Sequence, residues 1–394
     1  MTDALIVDAV RSPIGKRKGT LSHIRADELG AQVLNALVAR NSVDPAEIED
    51  VQWGCVSQVD EQAWNIGRNT ALTAGWPVSV AGTTVDRQCG SSMQTNFNAA
   101  AAIMSGQLDL VVSGGVEMMS RVPMGSNNGS MSPLVYERYD IVMQGISAEE
   151  IAKQWNLSRE ELDRISYESH MRAARAIDEG RFETEVVPVD VDVPEPDGEG
   201  GGAATVTRVR FAVDEAVRRE TTPEKMASLQ PAFIPDGVVT AGNSSQIVDG
   251  SAAVLVASEA KASKLGLTPR ARFVSFGVVG VEPHLMLHGN PEASAKALAK
   301  AGLTWEDIDV IEVNEAFASV VSQFLADTGL QERYDAGDVN PNGGGISLGH
   351  PLGATGARIT ATLVSELERR NARYGLATMC IGFGQAIAAV IERV

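Results

Sequence analysis

Short apolar runs alternate along the chain with longer segments that have the composition of amphipathic helices. Apolar runs of about four to eight residues bounded by turn residues are typical of buried strands, and longer runs with a period near 3.6 are typical of helices. This alternation predicts an α/β fold with parallel strands. The last two predicted strands are separated by glycines, which favours a closing hairpin. The predicted strands are Ala4–Val10, Leu110–Ser113, Ser251–Ala257, Val310–Val313, Gly375–Met379 and Gln385–Ile391.

Two stretches of the chain are faintly alike. Ser42–Val56 and Gly302–Phe317 each contain a candidate helix N-cap, Asp44 or Thr304, followed three residues later by an acidic residue. That spacing is typical of a capping box. Two related halves of one architecture explain the likeness most simply, although any α/β protein shows some local likeness by chance. In each half an alanine- and leucine-rich helix precedes this stretch, and a glycine-flanked turn opens a helix after it: Leu29–Ala39 and Cys89–Met104, then Ala293–Lys300 and Pro351–Arg369.

A long insertion, roughly Arg121–Asn243, separates the halves. It contains two helix-like pieces, Ala148–Trp155 and Arg159–Gly180. Its acidic, glycine-rich tract Asp190–Ala204 predicts a mobile surface loop. The predicted organisation is therefore a first half made of residues 1–120 and 244–272, an inserted loop domain of residues 121–243, and a second half of residues 273–394.

Size and charge narrow the class of protein. A chain of 394 residues is too long for one simple core, so two or three domains are expected. The net charge of −18 argues against nucleic acid and anionic membranes as partners. A small anionic ligand would need a local basic cluster, for which Arg218, Arg219 and Lys225 are candidates. A solvated charged face is the plainer interpretation of those three residues.

Several features indicate a cytoplasmic protein. No apolar run is long enough to span a bilayer. The N-terminal residues lack the order of a signal peptide, and the C-terminal residues carry no peroxisomal or lipidation signal. The three cysteines, Cys55, Cys89 and Cys380, are an odd, low number, which fits free thiols in a reducing compartment.

The candidate chemistry begins with His350, which lies in the stretch NGGGISLGHPLGATGAR (Asn342–Arg358). Six glycines in this stretch cost backbone entropy and fill no core, so we expect a close approach to a ligand. His350 could be a base that activates a nucleophile, and a capping or core histidine is the alternative. The stretch is neither a P-loop nor a dinucleotide-binding fingerprint, because it lacks the Gly-Lys-Ser/Thr sequence and the required glycine spacing.

Two glycine-flanked thiols accompany this histidine. Cys89 precedes a predicted helix, whose positive N-terminus favours the thiolate and lowers its pKa; a small buried hydrophobe is the alternative. Cys380 precedes Gly382 and Gly384, where free N–H groups could form an oxyanion hole; a glycine bend over a buried thiol is as good an interpretation. Asn314 ends a buried strand, where ligands of α/β proteins bind, or it is a simple turn residue. A histidine and two thiols beside glycines indicate thiol-based acyl chemistry.

A metal site is not predicted. His284 and His288 have helical spacing, but the HLMLH segment lacks the glutamate of HExxH and has no evident third ligand.

Four motifs together resemble the thiolase family: DRQCGSS, TAGNSSQIVDGSAA, VNEAFA and NGGGISLGHPLGATGAR. The resemblance runs from Val7–Gly19 to Cys380–Ala388, essentially the full length. It implies a thiolase-like fold, with two similar α/β/α-layered halves of five strands each and a loop domain inserted in the first.

The resemblance also implies roles for individual residues. Cys89 would be the nucleophile that carries the acyl group, His350 would activate it, and Cys380 would exchange a proton with the α-carbon of acetyl-CoA. Asn314 would hold a water that forms one oxyanion hole with the His350 ring. The N–H groups of Cys89 and Gly382 would form the other.

Coenzyme A would be a substrate rather than a permanently bound cofactor. By the same resemblance, Ser245 would lie near its pantetheine and Arg218 near its nucleotide. Family members are dimers or tetramers, so a homodimer or homotetramer that binds CoA and acyl-CoA is expected.

The chain departs from the family pattern at two places. Phe383 replaces the middle glycine of the usual C-x-G-G-G, and Val142–Glu149 lacks the histidine of biosynthetic acetoacetyl-CoA thiolases. The missing histidine favours a degradative 3-ketoacyl-CoA thiolase with a longer or bulkier substrate, from fatty-acid or steroid side-chain β-oxidation. The bulk of Phe383 is expected to reshape the pocket or the backbone beside Cys380. A biosynthetic thiolase is the alternative.

Two further interpretations stay open. A condensing enzyme of the ketoacyl-synthase type uses one cysteine with two histidines or with histidine and asparagine, and here the second cysteine and NEAFA argue against it. A thiolase-like protein that binds acyl-CoA without turnover is favoured by Phe383 alone.

Overall fold

The computed structural model describes residues 2–195 and 206–394. Its strands are β1 (Ala4–Arg11), β2 (Gly15–Lys16), β3 (Asp50–Gly54), β4 (Ala81–Val85), β5 (Leu110–Met118), β6 (Val189–Pro194), β7 (Val206–Phe211), β8 (Val248–Ser258), β9 (Ala271–Gly280), β10 (Val310–Val313), β11 (Tyr374–Ile381) and β12 (Gln385–Arg393). Its α-helices are α1 (Ala26–Arg40), α2 (Ile66–Thr73), α3 (Ser91–Met104), α4 (Pro133–Arg138), α5 (Gln144–Gln154), α6 (Arg159–Asp178), α7 (Pro223–Ala227), α8 (Glu259–Leu265), α9 (Asn290–Ala301), α10 (Ala318–Thr328), α11 (Gln331–Ala336) and α12 (Thr355–Arg370).

The strands of the two halves form one continuous mixed sheet. In the first half the order is β4-β3-β5-β8-β1, and in the second it is β10-β11-β12-β9. The halves join where β1 pairs with β9 in antiparallel register, from Ala4 opposite Phe273 to Ile6 opposite Ala271. The predicted closing hairpin is confirmed, because β11 and β12 pair in antiparallel register.

The second half does not have the five full strands that were expected. At the position that β4 occupies in the first half, the second half has a single parallel bridge between Ile311 and Val339. The expectation of five strands in each half was therefore wrong in this detail, since four strands and one bridge make up the second half.

The predicted repeat is confirmed by the matching order of elements. The elements of the first half correspond in chain order to those of the second: β1 to β9, α1 to α9, β3 to β10, α2 to α10, β4 to the Val339 bridge, α3 to α12, β5 to β11 and β8 to β12. Both predicted caps are also present. The Asp44 carboxylate accepts the Ala46 N–H at 2.9 Å, and Thr304 and Asp307 form a capping box around the helical turn at Trp305–Asp307.

The two helices that follow the glycine-flanked turns form the central layer. Side chains of α3 and α12, such as Ile103 and Leu363, share one apolar cluster with both halves of the sheet. α1 and α2 cover the other face of the first half, and α9 and α10 cover that of the second. A Cβ atom on Gly356 would overlap the Met93 backbone nitrogen, so this glycine permits α12 to approach α3. Helix packing, rather than contact with a ligand, therefore explains Gly356, one of the six glycines in the stretch Asn342–Arg358.

The inserted segment contains the two predicted helices as α5 and α6, but the predicted loop Asp190–Ala204 is partly wrong. Residues 190–194 belong to β6, which pairs with β7 in antiparallel register. Val189 and Val191 are buried, and the Gln32 side chain bonds to both backbone groups of Asp190. The interleaved acidic residues face outward and hid this alternation. Residues 196–204 of the predicted loop lie outside the described residues.

Within the described ranges, no helix is both long and apolar enough to cross a lipid bilayer.

Candidate active site

Cys89 lies in a tight turn between β4 and α3. Gln88 adopts a left-handed backbone conformation, with φ of +41°. The turn is held by the Gln88 N–H, which donates to Asp86 Oδ1 at 2.7 Å, and by the Ser91 hydroxyl, which donates to the Gln88 carbonyl at 2.6 Å. α3 begins at Ser91, so Cys89 precedes the helix, as the sequence predicted. Such a backbone conformation costs about 1–3 kcal/mol and is typical of functional turns.

The Cys89 thiol is not the ready-made thiolate that its position before a helix predicted. Burial raises its pKa to about 11, with a smaller contribution from the charges of Glu117 and Asp86. The backbone N–H groups of Gly382 and of Cys89 itself act in the opposite direction but do not compensate. The thiol is therefore neutral at physiological pH, and it needs a base to become a nucleophile.

His350 is a neutral imidazole whose orientation is fixed. Burial, and then the charge of Arg358, lowers its pKa to about 3. Its Nδ1 lies 2.6 Å from the hydroxyl oxygen of Thr355, and that hydroxyl donates its one hydrogen to the Pro351 carbonyl at 2.9 Å. The proton of this contact must therefore be on Nδ1. Nε2 keeps its lone pair, and it accepts from the Asn314 side-chain amide at 3.3 Å.

The segment around Ser245 holds the asparagine and histidine loops together. The Ser245 N–H donates to the Ala316 carbonyl at 2.9 Å, two residues beyond Asn314. The neighbouring Gln246 donates its N–H to the Gly345 carbonyl at 3.2 Å and accepts the His350 N–H at 3.3 Å. Three of the four sequence motifs thus meet at one place, and Ser245 lies where they cross.

Cys380 and Gly382 complete this arrangement from the β11–β12 hairpin. Cys380 is fully buried near the end of β11. Burial, followed by the charge of a Cys89 thiolate, raises its pKa well above the usual range of a thiol. The two thiols therefore lie close enough to influence each other, and the Gly382 N–H acts to lower the pKa of Cys89. Phe383 follows with a φ of +61°, the conformation for which glycine is usual.

Two buried carboxylates that the sequence did not single out fix the glycine-rich loops. Glu117 accepts the N–H groups of Gly353 and Val56, each at 2.9 Å, and so ties the His350 loop to the first half. Glu315 accepts the Ile346 N–H at 3.1 Å and the Ser169 hydroxyl at 2.6 Å. An acidic residue within the apolar run of β5 was the one available signal for Glu117.

The predicted basic cluster is not a single anion site. Arg219 pairs with Asp178 at 2.9 Å, and Lys225 donates to the Glu220 carbonyl. Arg218 is exposed, and its backbone N–H donates to His170 Nδ1 at 3.1 Å. Two residues before Arg218, the Ala216 carbonyl accepts a hydrogen bond from the Gln246 side-chain amide at 2.9 Å. Among the described residues the Arg218 side chain has no hydrogen-bond or ion-pair partner, unlike those of Arg219 and Lys225.

The histidines of the HLMLH segment serve other contacts. His284 Nδ1 lies 3.0 Å from Asp140 Oδ2, and the His288 ring packs near Trp155. Among the residues that the structure describes, no three His, Cys, Asp or Glu side chains are grouped to hold a metal ion.

Family comparison identifies this arrangement. The sequence model of the thiolase N-terminal domain matches residues 4–260, and that of the thiolase C-terminal domain matches residues 267–393. The chain belongs to the thiolase family. The thiolase-like α/β fold predicted from the motifs is thereby confirmed, with the sheet details corrected above.

Individual members of the thiolase family match over the full length. The chain is 46% identical over 399 residues to a 3-ketoacyl-CoA thiolase of Klebsiella pneumoniae and 47% identical over 399 residues to one of Erwinia tasmaniensis, each covering 100% of both chains. A crystal structure of an acetyl-CoA acetyltransferase from Bacillus anthracis superimposes with a TM-score of 0.89 at 39% identity, covering 100% of this chain and 99% of the other.

Proposed function

We propose that this protein is a degradative thiolase, an acyltransferase that cleaves 3-ketoacyl-CoA with free CoA into acetyl-CoA and a shortened acyl-CoA. The observation that carries the proposal is the contact of the Asn314 side-chain amide with His350 Nε2 at 3.3 Å, in a site that also holds two neutral thiols, Cys89 and Cys380, close enough for the charge of one to raise the pKa of the other. Relatives named 3-ketoacyl-CoA thiolase at 46% identity over the full length support the degradative direction.

The first half-reaction forms an acyl-enzyme. His350 Nε2 takes the proton of Cys89, and the sulfur attacks the 3-keto carbon. The pKa of His350 is low and that of Cys89 is high. Proton transfer to His350 and attack of the sulfur on the 3-keto carbon therefore occur together. The N–H groups of Cys89 and Gly382 stabilise the tetrahedral oxyanion.

Cleavage of the C2–C3 bond then leaves the enolate of acetyl-CoA and an acyl group on Cys89. The pair of Asn314 and His350 stabilises the enolate oxygen, and the Cys380 thiol gives its proton to C2. The raised pKa of Cys380 keeps that thiol protonated until the carbanion forms, which suits an acid that must act on carbon.

The second half-reaction restores both thiols. The Cys380 thiolate takes the thiol proton of the incoming CoA, whose sulfur attacks the acyl group on Cys89. The Cys89 thiolate leaves and recovers its proton from His350. Two thiols are needed because one is acylated while the other handles the proton, and ping-pong kinetics follow.

Coenzyme A enters this scheme as a substrate. Ser245 and the exposed Arg218 flank the Gln246 contacts and are the residues that we propose for its pantetheine and nucleotide. We further propose a cytoplasmic homodimer or homotetramer, on the basis of three free cysteines and family membership.

Phe383 does not support a protein that binds acyl-CoA without turnover. Phe383 is 48% exposed, and Gly382, which carries the proposed donor N–H, is retained. The substitution for glycine thus leaves the donor in place.

The decisive variants separate the two thiols. Cys89→Ala is expected to abolish thiolysis of every 3-ketoacyl-CoA. Cys380→Ala is expected to accept an acyl group from a simple acyl-CoA but to lose C–C cleavage by about a thousandfold or more. Cys55→Ala, which removes the third buried thiol, is the matched control and is expected to remain active. Retained thiolysis by Cys89→Ala would overturn the proposal.

A further inference from the structure

Arg358 is a buried cation that takes no part in the proposed reaction. It lies on α12, fully buried, and its Nε, Nη1 and Nη2 atoms have no hydrogen-bond partner among the described residues. A guanidinium keeps its charge in a protein and carries five N–H donors. Buried donors need acceptors, and those of a charged group need them most. The donors of Arg358 therefore require an acceptor other than a protein group in direct contact.

Glu312 on β10 is a carboxyl group in the matching state. It is also fully buried, and its Oε1 atom has no hydrogen-bond partner in residues 2–195 and 206–394. Burial raises its pKa well above the usual range of a carboxyl group, and the charge of Arg358 acts in the opposite direction. After burial, which lowers the pKa of Arg358, the charge of Glu312 has the largest effect on that pKa. The two groups thus lie near each other without direct contact.

β10 carries Glu312 on the same face as Asn314. Asn314 directly follows the strand, and its N–H still donates to the β11 backbone, so the extended ladder continues to this residue. Side chains two residues apart on a strand point to the same side of the sheet. Val310, on this face, shares an apolar cluster with Ala357 of α12. Glu312 and Asn314 therefore both face α12, and Glu312 lies one step before the residue that contacts His350.

Arg358 takes the corresponding place on α12. Thr355, whose hydroxyl accepts the His350 Nδ1–H, lies three residues before Arg358, and residues three apart are neighbours on one face of a helix. One turn further along this face, the Thr362 hydroxyl donates to Glu185 Oε1 at 3.1 Å. The pair of Arg358 and the β10 carboxyl group is thus the next step below the contact of His350 with its asparagine.

We propose that buried water molecules bridge Arg358 and Glu312 and that this bridge keeps Asn314 against His350. The inference deepens the proposed function and rests on it, because these last two residues stabilise the enolate oxygen there. A water accepts from the guanidinium and donates to Glu312 Oε1, and a buried water makes about three hydrogen bonds in all. Arg358 and Glu312 are positioning residues, since neither touches the substrate.

A crystal structure of the full chain tests the bridge without any use of the activity. We expect ordered water whose oxygen lies about 2.7–3.2 Å from a guanidinium nitrogen of Arg358 and from Glu312 Oε1. Direct contact of the two side chains, or well-resolved side chains with no water between them, would overturn the bridge.

The catalytic part is tested by breaking the bridge from each side. Arg358→Met and Glu312→Leu are each expected to lower kcat for thiolysis of 3-ketodecanoyl-CoA by about tenfold, because small displacements of catalytic groups are costly. Exchange of the acetyl group between acetyl-CoA and labelled CoA forms no enolate, so its rate should fall by no more than about twofold. A purely structural role would lower both rates alike.

Two further variants sharpen the result. Glu312→Gln keeps an oxygen acceptor in a neutral side chain of the same size, so it is expected to retain about half of kcat or more. The double variant Arg358→Met/Glu312→Leu is expected to lose about tenfold rather than about a hundredfold, because both residues act through one bridge.

Arg270→Met is the matched control for Arg358→Met. The Arg270 guanidinium bonds to Asp8 and, at the other end of α12, to Glu368. Its loss should lower the urea midpoint but leave the ratio of thiolysis to exchange as in the wild type.

The outcomes separate the two proposals. Equal loss of both rates in Arg358→Met and Glu312→Leu, or a loss of about a hundredfold in the double variant, would overturn the positioning role. Absence of thiolysis by the wild type on every 3-ketoacyl-CoA would overturn the proposed function, and the crystal structure would still decide the bridge.

Discussion

One hydroxyl group sets the tautomer of His350. Thr355 donates its hydrogen to the Pro351 carbonyl and accepts the N–H of Nδ1, which leaves the lone pair of Nε2 for the proposed role of base. In Thr355→Val the Nδ1–H loses its only described acceptor, and the ring is free to adopt the other tautomer or to rotate. We expect kcat to fall by about tenfold to a hundredfold, with a smaller effect on KM, as measured by steady-state thiolysis.

Thr360→Val is the matched control for this effect. Thr360 lies on the same helix and is equally buried, but its hydroxyl contacts the Gly356 carbonyl and Asn96 rather than the histidine. Its loss should lower stability more than kcat. Recovery of most activity in Thr355→Ser would support the account, and equal loss of kcat in both valine variants would contradict it.

Asp249 gives a pH dependence of stability. Burial raises its pKa to about 6 from an ordinary value of 3.8. The pKa of Asp249 is higher in the folded state than in the unfolded state, so protonation of Asp249 stabilises the folded protein. This stabilisation is lost as pH rises through about 6. Between pH 5 and pH 8 the loss is about 1.4 kcal/mol in the free energy of unfolding.

Asp249→Asn removes this titration and keeps an oxygen for the Ser120 N–H. Urea unfolding of both proteins at pH 5 and pH 8 measures the difference. We expect the stability of the wild type, relative to the variant, to fall as pH rises. A stability difference between wild type and variant that is constant, or that grows in favour of the wild type as pH rises, would show that the Asp249 pKa is not raised in the folded protein.

At this scale the sequence marks the residues that we propose to react more clearly than those that orient them. Cys89, His350 and Asn314 stand in motifs with unusual local composition, so the chain itself marks them. Thr355 and Glu117 act through contacts that depend on how the loops fold, with Glu117 lying 236 residues from Gly353. The prediction of a lowered pKa for Cys89 was also wrong, because the local sequence indicates where a helix begins but not how deeply the thiol is buried.

The contact between α3 and α12 is the element-scale feature on which the site depends. α3 follows Cys89 and α12 follows His350, so their packing sets the distance between nucleophile and base. Gly356→Ala places a methyl group on the Met93 backbone, which cannot move aside as a flexible side chain would. We expect about 3 kcal/mol of destabilisation and a loss of kcat larger than the stability change explains, measured by urea unfolding and thiolysis.

Gly302→Ala is the comparison for that prediction. Gly302 ends α9 with a φ of +68° and has open space around its Cβ position. Its substitution should cost about 1 kcal/mol through backbone strain and leave kcat unaltered. Similar kinetic losses in both variants would mean that the helix contact does not control the site.

Elements with a strong local signal were predicted well. The β11–β12 hairpin and the two capped helical turns are encoded by neighbouring residues, and all three are confirmed. β6 was missed because its partner β7 begins only after the acidic tract, and its outward-facing Asp190 and Asp192 resemble loop composition. The start of α3 at Ser91 depends on the turn at Gln88, whose positive φ no local pattern announces.

At the scale of the whole molecule, the proposed mechanism divides the reaction between the two halves. The first half supplies Cys89 and the Glu117 anchor, and the second supplies Asn314, His350 and the β11–β12 hairpin. The antiparallel pairing of β1 with β9 and the α3–α12 contact hold these parts in register. The likeness of the halves was visible in the sequence, whereas their union into one sheet depends on a three-residue pairing that no motif marks. The domain limits at residues 120, 243 and 272 stay a prediction.

The central claim is that Cys89 carries the acyl group after C–C cleavage. Mixing the protein with 3-ketodecanoyl-CoA in the absence of free CoA, followed by intact-protein and peptide mass spectrometry, tests it directly. We expect one octanoyl group per chain on the peptide that contains Cys89, together with an equal amount of released acetyl-CoA. Acylation of Cys380 or Cys55 instead, or acetyl-CoA release without an acyl-enzyme, would contradict the account.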